Sequence, residues 1–249
     1  MNERIAVVTG AGTGIGRAVT IKLISVGWKV VLAGRRGEKL EETKALAGIP
    51  EAAACVPCDV TSEAEVEALF AQSLQTFGRV DMLFNNAGVM TAPATIDEIA
   101  VEQWFHALNV NLSGAYLCAR AAFGIMKSQL PMGGRIINNG SISAQVPRPG
   151  SAPYAVTKHG ITGLTRALAL DGRAFNIACG QIDIGNARTD MATPMTSGII
   201  QPNGSVVQEA VFDVRHVAEM VAHIAALPLD VNVPFVTLMA TGMPLMGRG

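Results

Sequence analysis

The chain has 249 residues, 49% of them hydrophobic, with 19 Lys and Arg against 20 Asp and Glu and a formal net charge of −1. That supplies a sizeable core for one large α/β domain, expected to span residues 1–249. The even charge balance, without a block of lysine and arginine, argues against a nucleic-acid partner, and no uninterrupted apolar run is long enough for a membrane partner.

Residues 4–9, RIAVVT, form a short apolar run that predicts a first strand, and glycines follow it. IGRAVTIKLISVG carries Ile15, Ala18, Val19 and Val26 near helical spacing and stops at Gly27. KVVLA (29–33) predicts the second strand, EKLEETKALA (38–47) a charged helix and AAACVP (52–57) the third strand. Thr61 or Ser62 caps the helix EAEVEALFAQSLQTF, with Glu65 three residues after Ser62 completing a capping box. DMLFNN (81–86) is the fourth strand, 102–130 a long helix, GRIINN (134–139) the fifth strand and 152–171 a second long helix. AFNIAC (174–179) reads as the sixth strand, RHVAEMVAHIAAL (215–227) as a helix and PFVTLMA (234–240) as the last strand. Strands that alternate with helices and lack charge on either face predict a doubly wound parallel sheet of about seven strands, covered by helices on both sides. Such sheets bind ligands beyond the carboxyl ends of their strands, where the winding reverses.

Cys55 and Cys58 form a C-x-x-C, a spacing used by redox pairs and by half-sites for metals. No second C-x-x-C or His pair completes a metal set, and His106, His159, His216 and His223 form no ligand-like cluster. Cys118 and Cys179 are the other two cysteines, and Cys55 and Cys58, on a segment that reads as a buried strand, are taken to be buried structural thiols. Residues 1–8 are too short and too charged for a signal peptide, so a cytoplasmic protein is expected.

The first strand ends in TGAGTGIG, with Gly10, Gly12, Gly14 and Gly16. Gly10 and Gly14 allow a tight turn and close backbone approach. The helix starting near Ile15 aims its free N–H groups and positive dipole end at the same place, which suits a pyrophosphate. This G-x-x-x-G-x-G variant, with NNAG at 85–88 and Y-x-x-x-K at 154–158, resembles the short-chain dehydrogenase/reductase family over essentially the whole chain. The ordered set comprises Gly10–Gly16, Asp59, Asn86–Gly88, Asn111, Ser141, Tyr154 and Lys158. The resemblance implies a Rossmann-like fold, a nicotinamide cofactor and a small carbonyl or alcohol substrate. It also implies a homotetramer in which helices 102–130 and 153–171 pack across a dimer axis. In the family, residues matching Asn85, Asn86, Ala87 and Gly88 steady the sheet beside the cofactor. The one matching Asp59 touches the adenine edge, and Gly12, Thr13, Ile15, Val60 and Thr189 complete the cofactor set.

An NAD-selective site carries a carboxylate roughly 20 residues beyond the glycines, gripping the ribose 2′-OH. Here that place is Gly34, followed by Arg35 and Arg36. A 2′-phosphate is repelled by an acid and held by an arginine fork, so NADP(H) is expected as the preferred cofactor, with NAD(H) use left open.

Tyr154 and Lys158 are four residues apart and share a helix face. The ammonium is expected to stabilise a phenolate, lowering the phenol pKa by about 2 to 3 units, or roughly 3 to 4 kcal/mol. The resemblance makes Tyr154 the general acid and base, while Lys158 also bonds the nicotinamide ribose. Ser141, thirteen residues before Tyr154, becomes the group that holds the substrate oxygen, with Ser143 as a fallback. Asn111, rather than its neighbour Asn109, would anchor a water that links Lys158 to solvent.

One stretch departs from the family pattern. Where relatives continue after the sixth strand with Pro-Gly and a threonine four or five residues on, this chain has Cys179, Gly180 and then Thr189. That reads as an insertion beside the nicotinamide, with Thr189, or Ile182 and Ile184, contacting the ring. Residues 189–212 match the family's variable substrate lid, and Met191, Met195, Ile199 and Ile200 give it an apolar lining. Two other classes compete with the oxidoreductase: a nucleotide-sensing binding protein with the same fold, and thiol–disulfide exchange at Cys55 and Cys58.

Overall fold

A computed structural model of the chain describes residues 3–189, 191 and 198–245. Its strands are β1 (Arg4–Thr9), β2 (Trp28–Gly34), β3 (Ala53–Pro57), β4 (Met82–Asn85), β5 (Gly134–Asn139), β6 (Ile177–Ile184), β7 (Ile199–Ile200), β8 (Val206–Val207) and β9 (Phe235–Leu238). The helices are α1 (Gly14–Ser25), α2 (Gly37–Ala47), α3 (Glu63–Phe77), α4 (Val101–Leu108), α5 (Gly114–Ser128), α6 (Ala152–Asp171) and α7 (Arg215–Ala226). Seven strands pair in parallel in the order β3-β2-β1-β4-β5-β6-β9. The winding reverses between β1 and β4, which opens a crevice at their carboxyl ends.

Period-two alternation splits each buried strand between two cores. Ala6 and Val8 of β1, Val30 and Leu32 of β2 and Phe84 of β4 pack with Val19 and Leu23 of α1 and Val217 and Val221 of α7. Val7, Val31 and Leu83 face the other way, against Leu69 and Phe70 of α3 and Ala122 and Met126 of α5. Each fully buried Leu, Val or Phe contributes about 1.5–3 kcal/mol, so neither face of the sheet tolerates a charge.

Ser62, not Thr61, caps α3: its hydroxyl accepts the Glu65 N–H at 3.3 Å. The return half of the expected capping box is redirected, because the Glu65 carboxylate takes the Asp59 N–H at 2.8 Å. That bond ties the turn after β3 to the helix.

Three expectations are corrected. The long helix 102–130 is two helices joined by a π turn at Asn109–Ser113, which holds Asn111. Such turns shift the hydrogen-bond ladder by one residue and occur often at functional sites. The sixth strand does not end at Cys179; it runs on to Ile184, paired with β5 from Gly134↔Ile177 to Asn139↔Ile182. Gly180 therefore lies inside β6, where a Cβ would strike the Val233 carbonyl oxygen. Gly185 follows the strand end, and Thr189 lies four residues beyond it, the glycine-to-threonine spacing that the family pattern places after this strand.

Within the expected lid, Ile199 and Ile200 pair antiparallel with Val207 and Val206 rather than forming an irregular loop. The Gln201 N–H bonds the Ser205 carbonyl at 2.8 Å, and Gly204 has φ 83°. Asn203-Gly204 is the turn signal that marks this hairpin. Met195 lies outside the described residues.

Candidate active site

The turn after β1 is shaped by contacts that only glycine permits. Gly10 has φ 66°, and a Cβ there would lie 2.9 Å from Asn86 Nδ2. Gly16 does not line the cleft; it lets α1 press on the turn, since a Cβ would collide with the Gly10 carbonyl oxygen. Arg17 supports the loop from behind, its Nη2 donating to the Gly12 carbonyl at 2.6 Å. Thr13 caps α1 without a side-chain bond, so the first N–H groups of the helix stay available. Bare backbone at a helix start fits a dinucleotide pyrophosphate.

A chain of hydrogen bonds joins this turn to the candidate catalytic residues. The Thr9 hydroxyl accepts the Asn86 and Ala87 N–H groups at 2.8 and 2.9 Å. Asn86 Nδ2 donates to the Thr9 carbonyl at 2.8 Å, and Asn86 Oδ1 accepts Asn139 Nδ2 at 2.8 Å. The Asn139 carbonyl accepts Lys158 Nζ at 2.7 Å. Sequence reasoning missed Thr9 and Asn139; both close strands at the carboxyl edge, where a polar residue ending an apolar run is the signal.

One continuous cleft holds nearly every expected site residue. Its inner part is lined by Gly10, Thr13, Gly14, Ile15, Asn86, Ala87, Gly88, Ser141, Tyr154, Lys158 and Thr189. Its outer part is lined by Gly12, Arg35, Arg36, Asp59 and Val60, with Gly34 and the unforeseen Lys39. Thr189 packs over the glycine turn, with Cγ2 3.3 Å from where a Gly14 Cβ would stand. Of the two isoleucines offered as ring contacts, Ile184 lines the cleft, whereas Ile182 is wholly buried in the core. Met191 reaches the cleft, while Ile199 and Ile200 belong to the hairpin.

Asn111 is buried, and both ends of its side chain hold the Val89 peptide: Oδ1 accepts Val89 N–H at 2.7 Å and Nδ2 donates to the carbonyl at 2.9 Å. It thus fixes the loop after β4 against the π turn. Ser141 is the N-cap of a short turn, its hydroxyl accepting the Ser143 N–H at 3.1 Å. Ser143 is buried beside it on the cleft wall.

The expected acidification of Tyr154 by Lys158 is not what the structure supports. Lys158 Nζ stands 5.6 Å from the Tyr154 ring centroid. Burial pushes the phenol above its usual range; Ser141 and Arg148 oppose the rise and Asp183 adds to it. Burial also lowers Lys158 to about 8, against the upward pull of Asp183. Taking each group out of water disfavours its charged form, and that is the largest influence on both.

Arg148 forms a buried ion pair with Glu209 on the cleft wall. Asn186 bridges the pair, accepting from Arg148 at 3.0 Å and donating to Glu209 at 2.8 Å. Burial works against the Glu209 charge, but Arg148, Asn186 and Gln201 hold its carboxyl below the usual range. The C-x-x-C is not poised for redox chemistry: Cys55 and Cys58 are free, and burial pushes their thiols up to about 11 and about 12. Among the described residues no group of three His, Cys, Asp or Glu is placed to hold a metal, and no helix is long and apolar enough to cross a membrane.

The family model for short chain dehydrogenase matches residues 4–199. A 3beta-hydroxysteroid dehydrogenase of Mediterraneibacter gnavus is 36% identical over 198 residues, 78% of this chain and 68% of that protein. An uncharacterized oxidoreductase of Staphylococcus aureus is 35% identical over 243 residues, covering 96% of this chain and 97% of its own. Among solved structures, 3-ketoacyl-(acyl-carrier-protein) reductase from Brucella melitensis, complexed with NADH, superposes with a TM-score of 0.86 at 26% identity, covering 97% of this chain and 99% of that one. An actinorhodin polyketide ketoreductase variant with NADPH superposes with a TM-score of 0.84 at 28% identity, covering 95% and 96%.

Holding Lys158 charged costs folding energy. Its folded pKa of about 8 lies below the 10.5 of an exposed lysine, so the unfolded chain binds the proton more tightly. The penalty is full below the folded value and fades as pH rises toward the unfolded one. Lys158→Met is expected to gain on the order of 2 kcal/mol near pH 7, with the gain shrinking between about 8 and 10.5. Chemical denaturation at a series of pH values checks this; a gain independent of pH would contradict it.

Proposed function

The chain belongs to the short-chain dehydrogenase family, and from that premise we propose that it moves hydride reversibly between NADP(H) and the carbonyl or secondary-alcohol carbon of a small, largely apolar substrate, with Tyr154 as general acid and base. Membership makes it an NAD(P)-dependent oxidoreductase acting on CH–OH and C=O groups. The observation that carries the finer reading is the convergence of Ser141, Tyr154 and Lys158 on the cleft that begins at the glycine turn.

The nicotinamide, when bound, donates or accepts the hydride. The glycine turn and the start of α1 would hold its pyrophosphate, and Thr189 and Ile184, which line the inner cleft, would stand near its ring. Ser141 donates a hydrogen bond to the substrate oxygen and stabilises charge that develops there. Tyr154 delivers a proton to the same oxygen in reduction and removes it in oxidation. A phenol pushed up by burial keeps its proton at neutral pH, which suits carbonyl reduction. Lys158 is fixed by the Asn139 carbonyl beside that phenol and supplies a cation to the ribose side of the site.

Val89, Met90, Ile142, Ala187 and Met191 line the substrate side. The charge of Arg148 is neutralised by Glu209, so the wall suits an apolar substrate better than a highly anionic one. At the adenosine end, Gly34 offers no carboxylate to a ribose 2′-OH, whereas Arg35, Arg36 and Lys39 offer cations to a 2′-phosphate. Exposed Val101, Phe105 and Tyr116 on α4 and α5, with Val156 on α6, support a homotetramer whose dimer axis runs through these helices. Four free thiols suit a reducing compartment, the cytoplasm. Residues 198–212 are taken as part of a cover over the substrate.

Tyr154→Phe is expected to lower turnover by about a thousandfold or more on any carbonyl the parent reduces, with cofactor affinity within about threefold. Unchanged turnover, followed by nicotinamide absorbance, refutes the assignment. NADPH should exceed NADH in kcat/KM, and Gly34→Asp should reverse that order. A Cβ at Gly34 meets only Leu40 Cδ2 at 3.4 Å, so the variant has room. Equal use of both cofactors, unmoved by Arg35→Ala, counts against NADP(H). Sedimentation at micromolar concentration should return four copies, and a monomer contradicts the assembly.

A further inference from the structure

We propose that Arg148 sets the substrate class: its guanidinium donates a hydrogen bond to a second, neutral oxygen on the substrate, and Glu209 keeps that donor from selecting an anion. The substrate is then a keto ester or a diketone rather than a plain ketone or a keto acid. The inference rests on the reading of the cleft as a carbonyl-reducing site and deepens it.

Arg148 lines the cleft together with Ser141, Tyr154 and Lys158. It stands in the loop between Ser141 and α6, where the Ser151 hydroxyl donates to its carbonyl at 2.7 Å and anchors the backbone. Its Nη2 is shared by two acceptors, the Glu209 carboxylate and Asn186 Oδ1. The Asn186 amide is fixed in turn, because its Nδ2 donates to Glu209 at 2.8 Å and to the Ala210 carbonyl at 3.2 Å. The Asn186 carbonyl also accepts the Phe212 N–H at 3.0 Å. The planar guanidinium is thus held at one corner, and its orientation is set before a substrate arrives.

Nη1 has no hydrogen-bond partner among the described residues, and it is not one of the buried unpartnered atoms, as Nε is. Nη1 is therefore the donor that Arg148 offers to the cleft. A purely structural tie needs Nη2 alone. An oriented cation with an unused N–H, on the wall that also holds Ser141 and Tyr154, is a recognition group. What it recognises follows from Glu209, whose side chain is 0% exposed. That carboxylate cancels the charge of the guanidinium and leaves its remaining donors in place. A neutral carbonyl oxygen gains the bond at little cost in hydration. A carboxylate must shed far more water, and it would meet Glu209 as a like charge behind the guanidinium. Val89, Met90 and Ile142 on the same cleft suit the hydrocarbon part of such a substrate.

Matched pairs test this with NADPH: keto esters and diketones against ketones in which the second carbonyl is a methylene. The parent should favour the oxygenated member of its best pair by about tenfold or more in kcat/KM. Arg148→Met combined with Glu209→Gln, which leaves no lone buried charge, should bring that ratio within about twofold. Glu209→Gln alone leaves the guanidinium unneutralised and should raise use of a keto acid relative to its ester by about tenfold. A parent that reduces plain ketones without discriminating within any pair overturns the inference and leaves the proposed function standing. A pair ratio unchanged in the double variant overturns it as well. Should the double variant be inactive throughout, Glu209→Gln decides, and an unmoved acid-to-ester ratio overturns the inference. Failure of the parent to reduce any member with either cofactor overturns the proposed function, and this inference with it.

Discussion

An ammonium held out of water at the carboxyl edge of a parallel sheet is the constraint to which the rest of the site answers. Lys158 is 6% exposed, and its one hydrogen-bond acceptor among the described residues is the Asn139 carbonyl at 2.7 Å. A cation without a carboxylate partner survives burial only if its acceptor is rigid. The rigidity comes from the strand ends: Asn139 is bonded to Asn86, and Asn86 to Thr9, so β5, β4 and β1 are fastened together immediately below the cleft. The same bonds fix the glycine turn, because Asn86 Nδ2 also sits where a Gly10 side chain would be. One polar ladder thus positions the proposed proton-exchanging pair and the proposed phosphate cradle together.

The charges around this ladder are arranged to balance. Burial raises the proton affinity of Tyr154 most, Ser141 and Arg148 lower it, and Asp183 adds a smaller rise. Glu209 neutralises Arg148 before it can dominate the cleft. An ion pair this largely withdrawn from water seldom adds net stability over well-packed apolar groups, but it fixes where its members stand. Through Gln201, Glu209 also reaches the β7–β8 hairpin at 3.2 Å, so the segment beside the substrate opening is placed by the same carboxylate that holds Arg148. The β7–β8 hairpin and the wall that carries Arg148 therefore share a buried group.

Much of this was readable from residues alone, for identifiable reasons. The glycine turn announces itself because backbone must approach backbone there, and Gly10 and Gly16 meet that requirement literally. Helices with a strong start signal fell in place, as at Ser62. Strand ends were harder. In a parallel sheet covered on both sides, alternation vanishes, and nothing apolar marks where β6 stops; Cys179-Gly180 looked like a turn because glycine usually is one. Its real cause is the Val233 carbonyl pressed against it from across the sheet, a contact between residues far apart in sequence. The π turn at Asn109–Ser113 was hidden for the complementary reason, since the apolar pattern runs through it without a break. Asn203-Gly204 did carry a local hairpin signal, obscured by the short strands around it.

Charge on buried groups is the part least accessible to pattern. Two residues one helical turn apart suggest that an ammonium acidifies a phenol, and in water that would hold. Inside this cleft the same two residues lose their hydration together, and each becomes harder to ionise. Burial decides that outcome, while Asp183 reaches Ser141 from below because β6 runs past Cys179 to Ile184. Had the strand ended where the sequence suggested, no carboxylate would lie beneath Ser141. The extra length of one strand thus brings a buried carboxylate against the backbone of Ser141, beneath residues that lie on other elements.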